Sequence, residues 1–388
     1  MKIDAPWLSG AEIHTLAAAF LHAGFELRFV GGCVRDTILG RTFHEIDAAT
    51  DATPEQMMAL LGAAHLRAIP TGIKHGTITA LVNEKSFEIT TLRSDITTDG
   101  RHAEVAFTDS WEEDAARRDF TMNALYLGMD GTLYDYVNGL EDCKTRRVKF
   151  IGDASERIGE DYLRILRYFR FVASVGNNQF DAAALAACAT NKEGIAQLSG
   201  ERIQQELLKL LAAENAHIAL EKLLPLLPPP LSSLRKRESS LTKLDTQHAP
   251  ALLKLAALIG DAASISTVAE RLKLSAKQSK KLELWLSHAP LISPTMSELA
   301  QKKLVRKLGR EDYIAVVQLA YAFSTPSPLE GEGWGGGWEQ LTKMAAWTPP
   351  KFPITAADLM AQGYKEGKEL GDKLKELEAQ WEENNYQL

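Results

Sequence analysis

Apolar residues recur at the spacing of one helix face over residues 9–23, with Ser9 placed as a cap and Glu12 three positions on, so the first predicted element is a helix. Residues 27–30 form a short apolar run and predict a strand, which ends at a Gly-Gly pair before a helix over 35–39. Residues 46–49 predict another strand, and Thr53-Pro54-Glu55 supplies a cap followed by proline at the first helical position. Two β-branched runs, 77–82 and 86–92, are parted by Asn83-Glu84-Lys85 and predict a hairpin, with Thr71 to Gly76 as the turn leading into it and His75 as a structural turn residue. From about Asp153 strand signals fade, and helical periodicity continues to the C-terminus. An α+β chain with a mixed N-terminal part and an all-helical remainder is therefore expected. Two stretches interrupt the helices: 225–247, with a Pro-Pro-Pro run, and 324–337, rich in Gly, Pro and Ser, both expected to be flexible.

Length and composition narrow the class. At 388 residues the chain exceeds one ordinary core, so two to four domains are expected. There is no uncharged apolar run of about 18 residues, and residues 1–10 lack the basic-then-apolar layout of a signal peptide, so the expected compartment is the cytoplasm and no membrane is involved. Cys33, Cys143 and Cys188 stand far apart without paired spacing and read as buried thiols rather than a disulfide framework or zinc site. A net charge of −7 is unusual for a chain that binds nucleic acid. Positive residues nevertheless gather between Lys144 and Arg170, and a basic inner surface on an acidic molecule suffices for transient RNA binding.

Several segments carry candidate chemistry. Gly31-Gly32 follows a strand, where backbone N–H groups can approach phosphate, and Arg35 adds a fork of donors; Asp36 reads as its structural partner. A Gly pair alone more often marks an ordinary turn. Glu45 and Asp47 alternate on an extended segment and share a face. Such a pair can be a solvated strand edge, but the apolar flanks Ile46, Ala48 and Ala49 suggest partial burial, which favours a divalent metal between the acids. Glu88, in the second hairpin strand, is either a third carboxylate of that site or an exposed strand glutamate. Arg117-Arg118-Asp119 opens a run ending at Asn123, in which Arg118 would meet a triphosphate and Asp119 a ribose hydroxyl; a surface ion-pair cluster is the alternative for the arginines. The strongest helical signal covers 160–171, with Asp161, Arg164, Arg167 and Arg170 in an i, i+3 row. That row offers one acceptor and three donor forks to a base edge and to phosphates, although a solvated helix face would look the same.

Taken in order, these segments resemble the bacterial-class (class II) tRNA nucleotidyltransferases, the CCA-adding enzymes and their poly(A) polymerase relatives, over roughly residues 25–210. The resemblance implies a polymerase-beta-like head (residues 1–150), a helical neck with a base-selecting helix (151–222), and a helical body and tail that bind tRNA (223–388). It implies nucleotide binding by Gly32 and Arg35, metal ligation by Glu45 and Asp47, and triphosphate and ribose contacts from Arg117, Arg118 and Asp119, with Asn123 in the same set. Asp161 and Arg164 would act as an amino-acid template for CTP and ATP, with Arg167 and Arg170 on phosphates. The implied metal is Mg2+, the partner tRNA, and the reaction the addition of C, C and A to its 3′ end with release of pyrophosphate. Ser199 to Ile203 resembles a structural neck motif, and Asp99-Gly100-Arg101 falls where the family has a flexible loop associated with the final A. One departure is Glu45, where the family has Asp. It leaves open a catalytically weakened RNA-binding relative; the other alternative to CCA addition is an ATP-specific poly(A) polymerase, against which the acidic C-terminus argues.

Overall fold

The computed structural model describes residues 1–97, 104–237, 239–244, 249–324 and 337–387. Asp99-Gly100-Arg101 and nearly all of 324–337 lie outside them. The chain separates into two compact units, Met1–Ser232 and Ser233–Leu388, so head and neck fall within one unit.

Among its described residues the first unit has nine strands: β1 Leu27–Val30, β2 Asp47–Thr50, β3 Arg67–Gly72, β4 Thr77–Val82, β5 Lys85–Thr91, β6 Arg93–Thr97, β7 Glu104–Phe107, β8 Leu125–Leu127 and β9 Leu133–Asp135. Seven of them form one sheet in the order β3-β4-β5-β2-β1-β8-β9, and β6 and β7 pair separately. Only β2 and β5 run parallel within the seven-stranded sheet. β1 is buried at every position, as expected for a central strand covered on both faces. The predicted hairpin forms as β4 and β5, with Val82 paired to Lys85 and Asn83 at φ 55°, a left-handed value that Asn tolerates.

Helices flank the sheet: α1 Ala11–His22, α2 Gly32–Ile38, α3 Pro54–Ala63, α4 Trp111–Ala116 and α5 Gly139–Lys144. The Thr53 cap is borne out as a reciprocal capping box with Gln56. Ser9 is not the cap of α1. Gly10 holds that place, because Ser9 closes a preceding 3-10 turn, its hydroxyl donating to the Pro6 carbonyl at 2.6 Å. α4 is pinned to the sheet through Trp111: the Arg28 guanidinium lies 3.9 Å from the Trp111 ring centre and 3.7 Å from that of Tyr134.

After the head come α6 Ala154–Glu160, α7 Leu163–Ser174, α8 Ala182–Thr190, α9 Gly200–Ala212 and α10 Ala216–Leu223. The helix expected over 160–171 is in fact two. Asp161 is extended (φ −156°, ψ 105°), and its carboxylate accepts the Leu163 N–H at 3.1 Å, a local bond that competes with continuing the helix. α7 buries Ile165, Leu166, Tyr168, Phe169, Phe171 and Val172. Head and neck meet at an aromatic joint, where Phe120 lies 4.9 Å from Phe150 and 5.2 Å from Phe171 between ring centres, and Phe150 stacks on Tyr168 at 5.6 Å.

Among the described residues of the second unit the regular elements are all helices, from Ser239–Lys243 to Lys368–Glu383. The stretch expected to be a flexible linker holds short helices over Leu231–Arg237 and Ser239–Lys243 instead. Leu234, Leu241 and Leu244 are buried, and that apolar burial outweighs the proline and serine content. Trp285 donates its indole N–H to Asp312 at 2.8 Å, and the Arg306 guanidinium lies 5.0 Å from the Trp381 ring centre.

Because Phe120 is fully buried at the head–neck joint, Phe120→Ala should cost about 3–5 kcal/mol of unfolding free energy, measured by urea denaturation. A loss under about 1 kcal/mol would mean that this joint contributes little to holding the unit together.

Candidate active site

The acid edge lies on the one parallel strand pair. Asp47 opens β2 and is the Cα partner of Glu88 in β5, so the two carboxylates face the same way; Glu45 is exposed on the extended approach to β2. Burial, together with the charges of Glu88 and Glu45, pushes the Asp47 carboxyl up to about 6, while the positive charge of Arg118 pulls the other way. The edge is thus short of positive charge, and a cation would relieve it. Among the described residues no three His, Cys, Asp or Glu side chains close on a common point that could hold an ion.

Beneath this edge, Gly31 ends β1 at φ 75°, a left-handed value that makes glycine the fitting residue, and Gly32 begins α2. Cys33 directs its thiol to the Asp47 carbonyl, and burial pushes that thiol up to about 12. All three cysteines are buried and free. Arg35 is turned inward. It makes a two-point pair with Asp36 (3.1 and 2.8 Å) and donates to the Asn123 amide oxygen at 2.7 Å. Asn123 in turn donates to Asp119 at 3.3 Å.

Arg117 and Arg118 both converge on Asp114, a residue the sequence reading missed. Burial would raise the Asp114 carboxyl, but the charges of Arg118 and Arg117 hold it well below the usual carboxylate range. Asp119 faces the neck. One oxygen takes the Phe120 N–H and Asn123, and the other takes Arg167 Nε at 2.7 Å. Burial opposes its charge, yet Arg167 lowers its pKa.

The arginines expected as a free row are each paired with an acid. Arg164 pairs with Glu160 and donates to the Arg117 carbonyl at 3.1 Å, Arg167 pairs with Asp119, and Arg170 pairs with Glu206 of α9. Burial lowers the Arg170 pKa, partly offset by Glu206. Asp161 accepts from Arg202 at 2.7 Å. The guanidinium carbons of Arg35, Arg167 and Arg170 lie 5.3, 5.4 and 4.1 Å from the centre of the Phe171 ring, so one aromatic ring gathers cations from α2 and α7. The structure therefore brings Asp47 and Glu88 together, and joins Arg117–Asp119 to α7 through Arg164 and Arg167. Asp114 stands three and four residues before its two arginines, an i, i+3 and i, i+4 spacing that could have revealed it. Tyr126, Glu206 and Phe171 leave no comparable sequence signal.

A mixed sheet with paired acids at one strand edge, an arginine-lined seam and a helical extension defines a nucleotidyltransferase of the polymerase-beta-like kind. Residues 27–149 match the family described as the Poly A polymerase head domain, and residues 179–225 match the Probable RNA and SrmB- binding site of polymerase A. The chain is 40% identical to CCA tRNA nucleotidyltransferase 1, mitochondrial, of Danio rerio, over 96% of this chain and 87% of that protein. It is 39% identical to the Homo sapiens protein of the same name, over 100% of this chain and 91% of that one. Among solved structures, the Bacillus stearothermophilus CCA-adding enzyme in complex with CTP superposes with a TM-score of 0.79 at 27% identity, covering 99% of this chain and 94% of the other. The chain belongs to the CCA tRNA nucleotidyltransferase family and is an enzyme of that family. Enzymes of this kind generally use a divalent metal, and the acid edge fits one. No helix among the described residues is long and apolar enough to cross a membrane.

The depressed Asp114 pKa has a defined sign. Its stabilisation is present above the ordinary carboxylate value of about 4 and is lost as pH falls through the lower folded value. Asp114→Asn should therefore lower stability at pH 7 and flatten the loss of stability below about pH 4, followed by thermal midpoints across pH. Parallel curves for the two proteins would remove Asp114 from the acid response.

Proposed function

We propose that this chain adds C, C and A in turn to the 3′ end of tRNA, without a nucleic-acid template, using CTP and ATP and releasing pyrophosphate. The observation that carries this is the seam between α7 and residues 117–119. Arg164 donates to the Arg117 carbonyl and Arg167 to Asp119, so the residues proposed to choose the base and those proposed to hold the triphosphate are mechanically one assembly. A template made of side chains needs that rigidity, since base choice then depends on a fixed distance from the reacting phosphate.

In the proposed arrangement Mg2+ is held by Asp47 and Glu45, with Glu88 beside them, and supplies stabilisation of the charge developing on the attacking and leaving oxygens. Arg117 and Arg118 neutralise the triphosphate, and the Gly32 turn with Arg35 and Asn123 shapes the floor beneath it. Asp161 and Arg164 offer an acceptor and donors to the edge of the incoming base. Arg167 and Arg170, already paired with Asp119 and Glu206, orient those acids and the helix rather than competing for phosphate. Residues 1–150 act as head, 151–222 as neck and 223–388 as body and tail, the last gripping tRNA by backbone and shape. We place the enzyme in the cytoplasm, where three free thiols are at home.

Purified protein given Mg2+ and tRNA lacking its CCA should incorporate C from CTP alone, and complete CCA only when CTP and ATP are both present. Long A tails from ATP alone would instead identify a poly(A) polymerase, and RNA binding without incorporation an inactive relative.

Glutamate at position 45 is one methylene longer than the family's aspartate, and Mg2+ tolerates little displacement from octahedral geometry. Glu45→Asp is expected to raise turnover at fixed Mg2+ while leaving the choice between CTP and ATP unchanged. An equal or lower rate would remove Glu45 from the metal shell.

A further inference from the structure

Asp114 is a carboxylate, 1% exposed, that the chemistry above leaves without a task. Its Oδ1 accepts from Arg117 Nε at 2.8 Å and from Arg117 Nη2, and its Oδ2 from Arg118 Nη2 at 2.9 Å and Nε at 3.3 Å. The Tyr126 hydroxyl donates to Oδ2 at 2.6 Å and itself accepts from Arg118 Nε at 3.1 Å, closing a triangle. The Arg93 N–H, at the first residue of β6, points to Oδ1 at 3.4 Å. Tyr126 is fully buried, with its ring edge-on to Trp111 at 5.4 Å and to Tyr136 at 5.9 Å, so its hydroxyl is held in one place.

Two neighbouring guanidiniums repel, and each has a long side chain with many rotamers to lose. A single buried carboxylate between them cancels half of the positive charge and fixes both forks. Among the described residues neither Arg117 Nη1 nor Arg118 Nη1 has a hydrogen-bond partner, so each fork retains donors that Asp114 does not take.

We propose that Asp114 is a positioning residue for nucleotide binding, holding Arg117 and Arg118 side by side for the triphosphate, with the Tyr126 hydroxyl locking the carboxylate in place. Asp114 has this task only if Arg117 and Arg118 meet the triphosphate, as proposed above. The contact to Arg93 also ties the base of the β6–β7 ribbon to the same carboxylate.

The test compares Tyr126→Phe, Asp114→Asn, Arg118→Ala and the double variant Tyr126→Phe/Arg118→Ala in the full chain. It measures KM for CTP, KM for ATP, KM for tRNA, kcat and the thermal midpoint. Tyr126→Phe keeps the ring and removes one hydrogen bond, and should raise both nucleotide KM values about 3- to 10-fold while tRNA KM stays unchanged. Asp114→Asn should raise them further. The double variant should bind nucleotide only slightly worse than Arg118→Ala alone, a less than additive loss, because Arg117 is then the one guanidinium left for the carboxylate to position. Unchanged nucleotide KM in Tyr126→Phe and Asp114→Asn, or fully additive losses in the double variant, while Arg118→Ala raises KM, would overturn the proposal. Unchanged nucleotide KM in Arg118→Ala would instead overturn the triphosphate contact on which it rests. If Asp114→Asn does not fold, Tyr126→Phe and the double variant decide the matter alone.

Discussion

Everything around this site depends on how arginine is neutralised inside protein. A guanidinium cannot shed its proton at any working pH, so an arginine drawn into the seam between head and neck must find an acid there or pay the cost of an unpaired buried charge. Arg35 finds Asp36, Arg117 and Arg118 find Asp114, Arg164 finds Glu160, Arg167 finds Asp119, and Arg170 finds Glu206. Several of these pairings cross element boundaries. Asp119 belongs to the head and Arg167 to the neck, and the Arg117 carbonyl takes a bond from Arg164. The electrostatic requirement and the positional one are met by the same bonds.

The opposite condition holds at the acid edge. Asp47 and Glu88 sit in register on parallel strands, the charges of Glu88 and Glu45 add to burial in raising the Asp47 pKa, and the opposing charge of Arg118 does not bring it back to an ordinary value. An arginine placed between these acids would quench the site. Their under-compensation favours a divalent cation, which brings positive charge without filling the space a phosphate needs. The fold therefore keeps a saturated network and an unsaturated edge, with the charge of Arg118 bearing on both.

Much of this was legible in the sequence, and the gaps have physical causes. Strands with apolar runs, the Thr53 cap and the hairpin at Asn83 were readable because local propensity and tertiary structure agree there. The helix expected over 160–171 was wrong at its start, because a carboxylate bonding two residues ahead competes with the helix in a way that periodicity cannot register. The region 225–247 was misjudged because proline and serine dominate its composition, while a few leucines dominate its energetics. At the site, Glu45, Asp47 and the arginines announced themselves by type and spacing. Their partners Tyr126 and Glu206 did not, since each lies far along the chain from the groups it serves and looks like any core tyrosine or helix glutamate.

The pairing pattern also resolves the tension between a net charge of −7 and a phosphate-rich substrate. Asp114 serves Arg117 and Arg118, Glu160 serves Arg157 and Arg164, and Glu206 lies between Arg167 and Arg170. The groups at Asp114 and Glu160 are each one carboxylate with two guanidiniums and carry a residual positive charge, whereas at Glu206 a second carboxylate, Asp119 on Arg167, balances the pair. Lysine could supply the charge but not this sharing, because an ammonium presents a point rather than a planar fork with donors on more than one edge. A rigid positive lining can in this way be built into an acidic protein without leaving any guanidinium free to swing. The surplus acids elsewhere then work against indiscriminate retention of RNA, while the local field at the seam still favours a triphosphate.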